Sequence, residues 1–336
     1  MVSFPDRNDL NSRQRRTPGW NRNEFDTTGR LPAGKAMIDK LELFLALARE
    51  KHFGKAAEAC NISQPTLSAS IKQLEDQLGV MLVQRGSRFQ GLTAEGELVL
   101  EWARRIVGDA RSMRMEVRMA KQGLSGRVRI AAIPTALPMV RELTTAFQSS
   151  HPNVTFVVLS RTSMEILDLI DNLEIDVGIT YMANEPLGRV AAVPLYAERY
   201  VFVTADPELF AGRSAITWAE VADQPLCLLT PAMQNRRIID GYLAQAGVEA
   251  KPVLESDSMI AIVSHVLMGT CCGILPEKIV SIFKPAGEIR SIPLVEPDAS
   301  QMIGAVAAER EPHTPMIDAL LKCAAGLARK LQQGPD

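Results

Sequence analysis

Apolar positions between residues 38 and 78 recur at helical spacing, break twice and resume. Leu41, Phe44, Leu45 and Ala48 share one face of a helix predicted over residues 38–49. Gly54 is expected to close the connection to a second helix, Lys55 to Cys60, and Asn61 and Ile62 make the turn after it. Ser63 then caps a third helix, because its hydroxyl can accept an orphan backbone N–H of the first turn. Pro65 lies in that turn, where its missing N–H costs nothing. Leu67, Ile71, Leu74 and Leu78 form the buried stripe, and Gly79 ends the helix. The opposite face carries Pro65, Ala69, Lys72 and Gln73, with Thr66 and Ser68 on its flanks. Short helices meeting at a tight polar turn, the second showing small polar side chains outward, are the parts of a helix-turn-helix. Lys55 to Gly79 therefore reads as a DNA-contacting stretch, around which the rest of the chain is organised.

Val80 to Leu92 is predicted as two short extended pieces around Arg85-Gly86-Ser87-Arg88, a wing beside the third helix. Thr93 caps a long helix running to about Gln122. In it Val99, Ala103, Ile106, Ala110, Met113, Val117 and Ala120 keep a repeat of about 3.5 residues, which favours a partner helix over packing on the helix's own domain. Arg104, Arg105, Arg111, Arg114 and Arg118 flank that seam. After a hinge-like break at 123–126, strands and helices alternate to the end, which predicts α/β architecture. Strands are expected at 128–133, 154–159, 176–180, 200–204, 226–229, 252–254, 271–275 and 303–307. Helices are expected at 138–149, from Thr162, at 235–246, 257–268 and 315–332. Thr162 with Glu165, and Thr217 with Glu220, have the spacing of capping boxes.

Composition narrows the classes. A chain of 336 residues holds two or three domains. It has no apolar run long enough to span a membrane, and its first 36 residues lack the apolar centre of a signal peptide. Those residues read as a disordered extension whose Arg13, Arg15 and Arg16 would add nonspecific phosphate contacts. The five cysteines, Cys60, Cys227, Cys271, Cys272 and Cys323, are scattered without CxxC spacing. Neither a disulfide framework nor a zinc site is expected, and a reducing cytoplasm fits. Net charge is −2, but residues 1–36 carry +3, residues 37–122 carry +2 and residues 123–336 carry −7. Phosphates would be tolerated at the front of the chain only. No HExxH, Walker A, GxSxG or GxGxxG motif is present and histidine is scarce, so an enzyme is not expected. A transport-type solute receptor would need an export signal and has no use for residues 38–92.

The stretch FGKAAEACNISQPTLSASIKQLEDQLGVMLVQR followed by GLTAEG resembles the LysR-type transcriptional regulators. It holds their paired alanines in the second helix (Ala56-Ala57) and their SQPxxS opening (Ser63 to Ser68). The LExxLGxxLFxR run falls at Leu74 to Arg85, and LTxxG at Leu92 to Gly96, all in order and at fixed spacing. Val83-Gln84 stands where phenylalanine is usual, and Ala69 where many members carry a base-reading arginine. The resemblance, from Met37 to the C-terminus, implies a winged helix-turn-helix and a dimerising linker helix. It also implies a two-lobed Rossmann-like effector domain of the periplasmic-binding-protein type 2. The expected domains are an extension over 1–36, a DNA-binding domain over 37–94, a linker over 95–122, lobe I over 127–196 with 301–330, and lobe II over 197–300. The crossovers between lobes are placed near 195–202 and 297–302. Such proteins assemble as dimers of dimers on double-stranded promoter DNA, with RNA polymerase a further expected partner and the nucleoid in the cytoplasm the expected location. They respond to a small molecule between the lobes, here expected to be a small organic acid or other anionic metabolite, with no cofactor or metal.

Gln64, Pro65, Thr66, Ser68 and Ala69 are the candidates for base contact, since glutamine can bond adenine and apolar groups can touch a thymine methyl. Lys72, Arg85 and Arg88 suit phosphate or the minor groove. Effector candidates lie at the carboxyl ends of strands, where ligands sit in open α/β sheets. They are Thr135, Arg161, Thr162, Ser163, Thr180, Thr230, Gln234, Asn235 and Arg236, with the two arginines available to neutralise a carboxylate or to bridge to surface acids. His265 reads as packed within an apolar helix. A redox-responsive regulator of the same fold is the alternative, although the loop Thr230 to Arg237 contains no cysteine.

Overall fold

The structure, a computed structural model, describes residues 33–84, 86, 89–183, 186–283, 289–309 and 313–333, without the side chains of 33–36, 118 and 120–122. The extension 1–32, Arg85, Arg88 and the side chains of Arg118 and Ala120 lie outside the described residues. The chain divides into two compact units after Ala103.

In the first unit, helices α1 (Ala33–Glu50), α2 (Phe53–Ala59) and α3 (Gln64–Leu78) pack on one another. Phe44, Leu47, Ala56, Leu67 and Leu74 are completely buried. Each of the Phe and Leu side chains contributes about 1.5–3 kcal/mol. Gly54 does not close a loop, as expected from sequence, but lies inside α2. His52 caps that helix, its Nδ1 accepting from the Gly54 and Lys55 N–H groups at 3.1 and 3.3 Å. At α3, Ser63 is the cap and Gly79 takes the left-handed conformation at φ 72°, as predicted. The buried stripe differs at its end: Leu78 is 37% exposed and Glu75 is buried. One carboxylate oxygen of Glu75 accepts from the Leu82 and Val83 N–H groups at 2.8 and 3.2 Å, which ties the helix to the turn after it. The expected wing hairpin is reduced, among the described residues, to a single antiparallel bridge between Val83 and Leu92.

Helix α4 (Ala94–Gln122) begins at Thr93, whose Oγ1 accepts from the Gly96 N–H at 2.9 Å. Leu100, Ala103, Val107 and Ala110 are buried, whereas Leu98, Trp102, Ile106, Met113 and Val117 are 40–62% exposed. At 100° per residue these exposed apolar residues form one stripe. The predicted seam straddles the boundary between the two faces, because it took in Ala103 and Ala110 and left out Leu98 and Trp102. Two of the flanking arginines are engaged with the loop after α6: Arg104 donates to Asn172 Oδ1 at 3.2 Å and Arg111 to the Leu173 carbonyl at 3.3 Å.

The second unit is a mixed sheet of two halves. Strands β1 (Gly126–Ala132), β2 (Val154–Ser160) and β3 (Val177–Tyr181) run parallel, with a 3-10 turn at Pro134–Ala136 and helices α5 (Leu137–Ser150) and α6 (Ser163–Asp171) between them. The long β4 (Val190–Thr204) leads into the second half. That half contains β5 (Ile216–Thr217), α7 (Trp218–Val221), β6 (Leu226–Leu229), α8 (Gln234–Gln245), β7 (Leu254–Ser256), α9 (Met259–Leu267), β8 (Cys272–Pro276), α10 (Glu277–Phe283) and β9 (Arg290–Val295). Strand β10 (Ser300–Ala308) returns to the first half, and α11 (Pro315–Gln332) closes the chain. The strand order is β2-β1-β3-β10-β4-β8-β6-β7. Strand β4 pairs with β10 up to Arg199 and with β8 and β9 from Tyr200 onward, so it crosses between halves at that junction. Both predicted capping boxes are present, at Thr162 and Thr217. Strands β5 and β9, helix α10 and the first ten residues of β4 escaped the sequence pattern.

The cysteine reading needs correction. Cys227 and Cys271 form a disulfide in the core of the second half, with Cα atoms 6.1 Å apart. The parallel neighbours β6 and β8 set Cys227 opposite Gly273, which brings Cys271 within disulfide reach. Their separation of 44 residues hides this in the sequence. Among the described residues, no helix is long and apolar enough to cross a membrane.

Candidate functional site

Two surfaces answer to the sequence candidates. On α3, the stripe Leu67, Ile71 and Leu74 anchors the helix, and the residues between them are turned out. Gln64, Pro65, Thr66, Ser68, Ala69 and Lys72 are all exposed on this one helix. Ser63 organises its start: the hydroxyl accepts from the Thr66 N–H at 3.3 Å and pairs with Thr66 Oγ1 at 2.8 Å. Thr66 is thus partly engaged, whereas Gln64 and Ser68 keep their full donor and acceptor sets. Arg85 and Arg88, the wing candidates, lie outside the described residues.

The second surface is a cleft between the two halves of the second unit. It lies at the carboxyl ends of β1, β3 and β6 and is narrow, with room for about one water. Thr135, Thr162, Ser163, Gln234 and Asn235, five of the nine candidates, line it together with Tyr181, Leu229 and Met233. Ser163 is 2% exposed and its hydroxyl has no partner. Thr162 closes its capping box, donating to Glu165 Oε2 at 2.9 Å. Gln234 Oε1 accepts from Arg237 Nε at 2.8 Å.

The other four candidates are not brought to the cleft. Arg161 is exposed and donates to the Ser160 carbonyl at 2.7 Å. Arg236 follows Asn235 by 100° around α8, which turns it toward β7. There it pairs with Glu255 and with Asp240 (2.8 Å), and it donates to the Leu229 carbonyl at 3.0 Å. Its pKa rises, because these hydrogen bonds to acids outweigh a desolvation effect that acts the other way. Thr180 is buried without a partner, and the Thr230 N–H is tied to the Ser256 carbonyl at 3.1 Å. His265 is exposed rather than packed, in the last turn of α9, with Nδ1 2.8 Å from the Ala261 carbonyl oxygen.

What sequence reasoning missed is the floor of the cleft. The Tyr181 hydroxyl sits 3.3 Å from Thr135 Oγ1, accepts from Asn235 Nδ2 at 3.3 Å and donates to Glu198 Oε1 at 2.8 Å. Tyr200 donates to the same oxygen at 3.2 Å. One hydroxyl therefore joins the first half (Thr135), the second (Asn235) and the crossing strand β4 (Glu198). Glu198 is 2% exposed. Burial pushes its carboxyl up to about 7, against the lowering effect of the tyrosine hydrogen bonds. Tyr181 and Tyr200 are raised well above the usual phenol range by burial and by the nearby Glu198. The signal available in the sequence was the alternation Tyr196, Glu198, Tyr200, which puts three polar tips on one face of a strand.

The LysR substrate binding domain matches residues 121–329, and the bacterial regulatory helix-turn-helix protein of the lysR family matches residues 38–97. The chain is 27% identical over 270 residues to the DNA-binding transcriptional dual regulator OxyR of Escherichia coli (strain K12), covering 80% of this chain and 88% of that protein. It is 29% identical over 228 residues to the HTH-type transcriptional regulator XapR of the same strain, covering 67% of this chain and 78% of that protein. Full-length OxyR from Pseudomonas aeruginosa superposes with a TM-score of 0.67 at 24% identity, covering 85% of this chain and 94% of that one. Full-length CbnR in complex with its target DNA superposes at 0.56 and 22% identity, covering 86% and 99%. At these identities the superpositions establish the fold.

Proposed function

From the premise that the chain belongs to the LysR family of bacterial DNA-binding transcriptional regulators, we propose that α3 reads double-stranded promoter DNA and that a small ligand in the cleft controls this reading. The observation that carries the ligand reading is the Ser163 hydroxyl, buried and unpartnered at the start of α6. Beside it lies the N-terminus of a nine-residue helix, where Thr162 caps the Glu165 N–H. That pairing suits an acid group, since helix N–H groups and the helix dipole favour negative charge. With Arg161 and Arg236 turned away, the acid is held by hydroxyls, amides and N–H groups rather than by a guanidinium. A small organic acid carries such a group; the cleft as it stands has room for about one water, so the acid enters as the two halves part.

Two copies pair through the exposed stripe Leu98, Trp102, Ile106, Met113 and Val117 of α4, and dimers associate into a tetramer. Work at the promoter places the protein on the cytoplasmic nucleoid, with RNA polymerase as a partner. The DNA arm is tested by gel-shift titration: Gln64→Ala weakens specific operator binding by about 1–3 kcal/mol, and an unchanged titration refutes it. The ligand arm is tested by a thermal-shift screen of small organic acids on the full chain. A true effector at 100-fold its Kd stabilises by about 2.7 kcal/mol, and Ser163→Val loses that response.

A second reading, response to oxidants, is favoured by the Cys227–Cys271 disulfide and by relatives named hydrogen peroxide-inducible genes activators. Counting free thiols before and after peroxide while following DNA binding separates the two readings.

A further inference from the structure

A second pocket, of about 130 Å³, lies at the end of the sheet opposite the cleft. The cleft sits at the carboxyl ends of β1 and β3. Here Arg127 stands near the start of β1, Asp176 directly precedes β3 and Ala308 ends the antiparallel β10, and all three line the pocket. Helix α4 supplies one wall. From Arg104 onward it belongs to the second unit, and its Gly108, Arg111, Ser112 and Met115 line the pocket. At i, i+3, i+4 and i+7 these share one helix face, turned away from the exposed stripe that carries Met113 and Val117.

The lining is apolar in its depth. Ile170, Ile175 and Met316 are only 1–6% exposed, with Met115, Leu173 and Ile317 half-buried around them. Most of its polar groups are already engaged. Ser112 donates to the Gly108 carbonyl at 2.9 Å, Thr314 Oγ1 accepts from the Ile317 N–H at 3.1 Å, and Asp176 Oδ2 accepts from the Arg129 N–H at 2.7 Å. Arg127 differs: it is exposed and, among the described residues, makes no hydrogen bond or ion pair.

We propose that this pocket is a second ligand site and that it takes the anion of a medium-chain carboxylic acid, with the alkyl tail among Ile170, Ile175 and Met316 and the carboxylate on the Arg127 guanidinium. An apolar cavity of ~150 Å³ takes benzene, so this one takes a tail of about five or six carbons. Methionines at two points of the wall adapt to a flexible chain, and a guanidinium offers a carboxylate two parallel N–H donors. The charges favour an anion. Arg111 and Arg127 line the pocket, and Arg129 follows on the same face of β1 as Arg127. Asp176 is the one acid in the lining. Burial raises its pKa, and the Arg129 N–H and the Arg129 and Arg111 charges act against that rise, so its charge is already offset by neighbours. The ligand differs from the acid of the cleft, which is held by hydroxyls and amides without an arginine.

The test is calorimetric titration of the full chain with sodium butyrate, hexanoate and octanoate and with hexylammonium chloride. The proposal expects one saturable site per chain. Each buried CH₂ contributes ~0.8 kcal/mol, about fourfold in Kd, so hexanoate binds more than tenfold tighter than butyrate, and octanoate gains nothing further because the cavity is full. Hexylammonium binds at least tenfold more weakly than hexanoate. Arg127→Gln loses at least fivefold in hexanoate affinity and Asp176→Asn gains, each with an unchanged circular dichroism spectrum. Ser163→Val, altered in the cleft, binds hexanoate as the unaltered chain does. No saturable binding, equal binding of hexylammonium, or full affinity in Arg127→Gln overturns the proposal. So does an affinity that keeps rising fourfold per CH₂ through octanoate, which marks adsorption to exposed apolar surface. Loss in Asp176→Asn overturns it by putting the ligand on the acid, and loss in Ser163→Val by moving it to the cleft.

Discussion

Glu198→Gln isolates the cost of keeping an ionisable group beneath the cleft. Glutamine has nearly the same shape, and its carbonyl oxygen still accepts from Tyr181 and Tyr200. What it removes is the titration. The Glu198 carboxyl stands near 7 in the folded chain against an ordinary 4.5. Between those values the folded protein holds a proton there that the unfolded chain has released. Stability therefore falls as pH rises through this window, and the loss is complete above 7. The difference corresponds to about 3 kcal/mol at pH 8 and to almost nothing at pH 4. Substitution removes that loss, so the variant gains on the unaltered protein by about 3 kcal/mol between pH 4.5 and pH 8. Urea unfolding followed by tryptophan fluorescence is the assay. Trp218 is fully buried, with its ring centroid 6.2 Å from that of Tyr200 and 5.1 Å from that of Tyr242, so it reports on the same core. Every other titrating group is common to the two proteins and cancels in the difference. A gap that does not change with pH would refute the reasoning, because it would mean that Glu198 titrates alike folded and unfolded.

Three further outcomes follow from single contacts. Glu75→Leu leaves the buried N–H groups of Leu82 and Val83 without an acceptor and lowers stability by about 2–4 kcal/mol; Glu75→Gln keeps an acceptor and loses under half of that in the same thermal melt. Gly96→Ala sets a Cβ 2.1 Å from the Leu82 carbonyl oxygen; the start of α4 must shift, at about 2–3 kcal/mol, and an unaltered melting temperature contradicts it. Met113→Lys with Val117→Lys puts charge on the exposed stripe of α4, where the two side chains are each 60% exposed; light scattering then finds a smaller assembly with unchanged circular dichroism, and an unchanged mass sinks the pairing role.

The first unit was the most legible because its signals are local. A serine cap, a stripe at spacings of 4 and 3, and a closing glycine all act within one helix, so α3 came out with its caps in place. Where the reading slipped, a longer-range contact had won. Leu78 belongs to the stripe by periodicity, but Glu75 is drawn inward by two N–H groups seven and eight residues on. The Gly96 of the LTxxG motif was read as part of a helix start. Its need for a bare Cα arises from Leu82, which periodicity cannot place beside it.

The cleft was half legible for the same reason. The rule that ligands gather at strand carboxyl ends found Thr135, Thr162, Ser163, Gln234 and Asn235, because each lies in the segment between a strand and the helix after it or in that helix's first turn. It says nothing about which way a side chain turns, so it promoted Arg161 and Arg236, and packing sent one to the surface and the other into an acid pair. It also had no access to Glu198. That residue reaches Tyr181 only because β10, which arrives about a hundred residues later, lies between β3 and β4 and fixes how far apart they sit. Hydroxyls and amides at strand ends make the walls of such a cleft, and these can be read from sequence. The floor is assembled by strand order, and strand order carries the charge. The Tyr181 hydroxyl, bonded to both halves and to the crossing strand, therefore ties their separation to one hydrogen-bond network that periodicity cannot reveal.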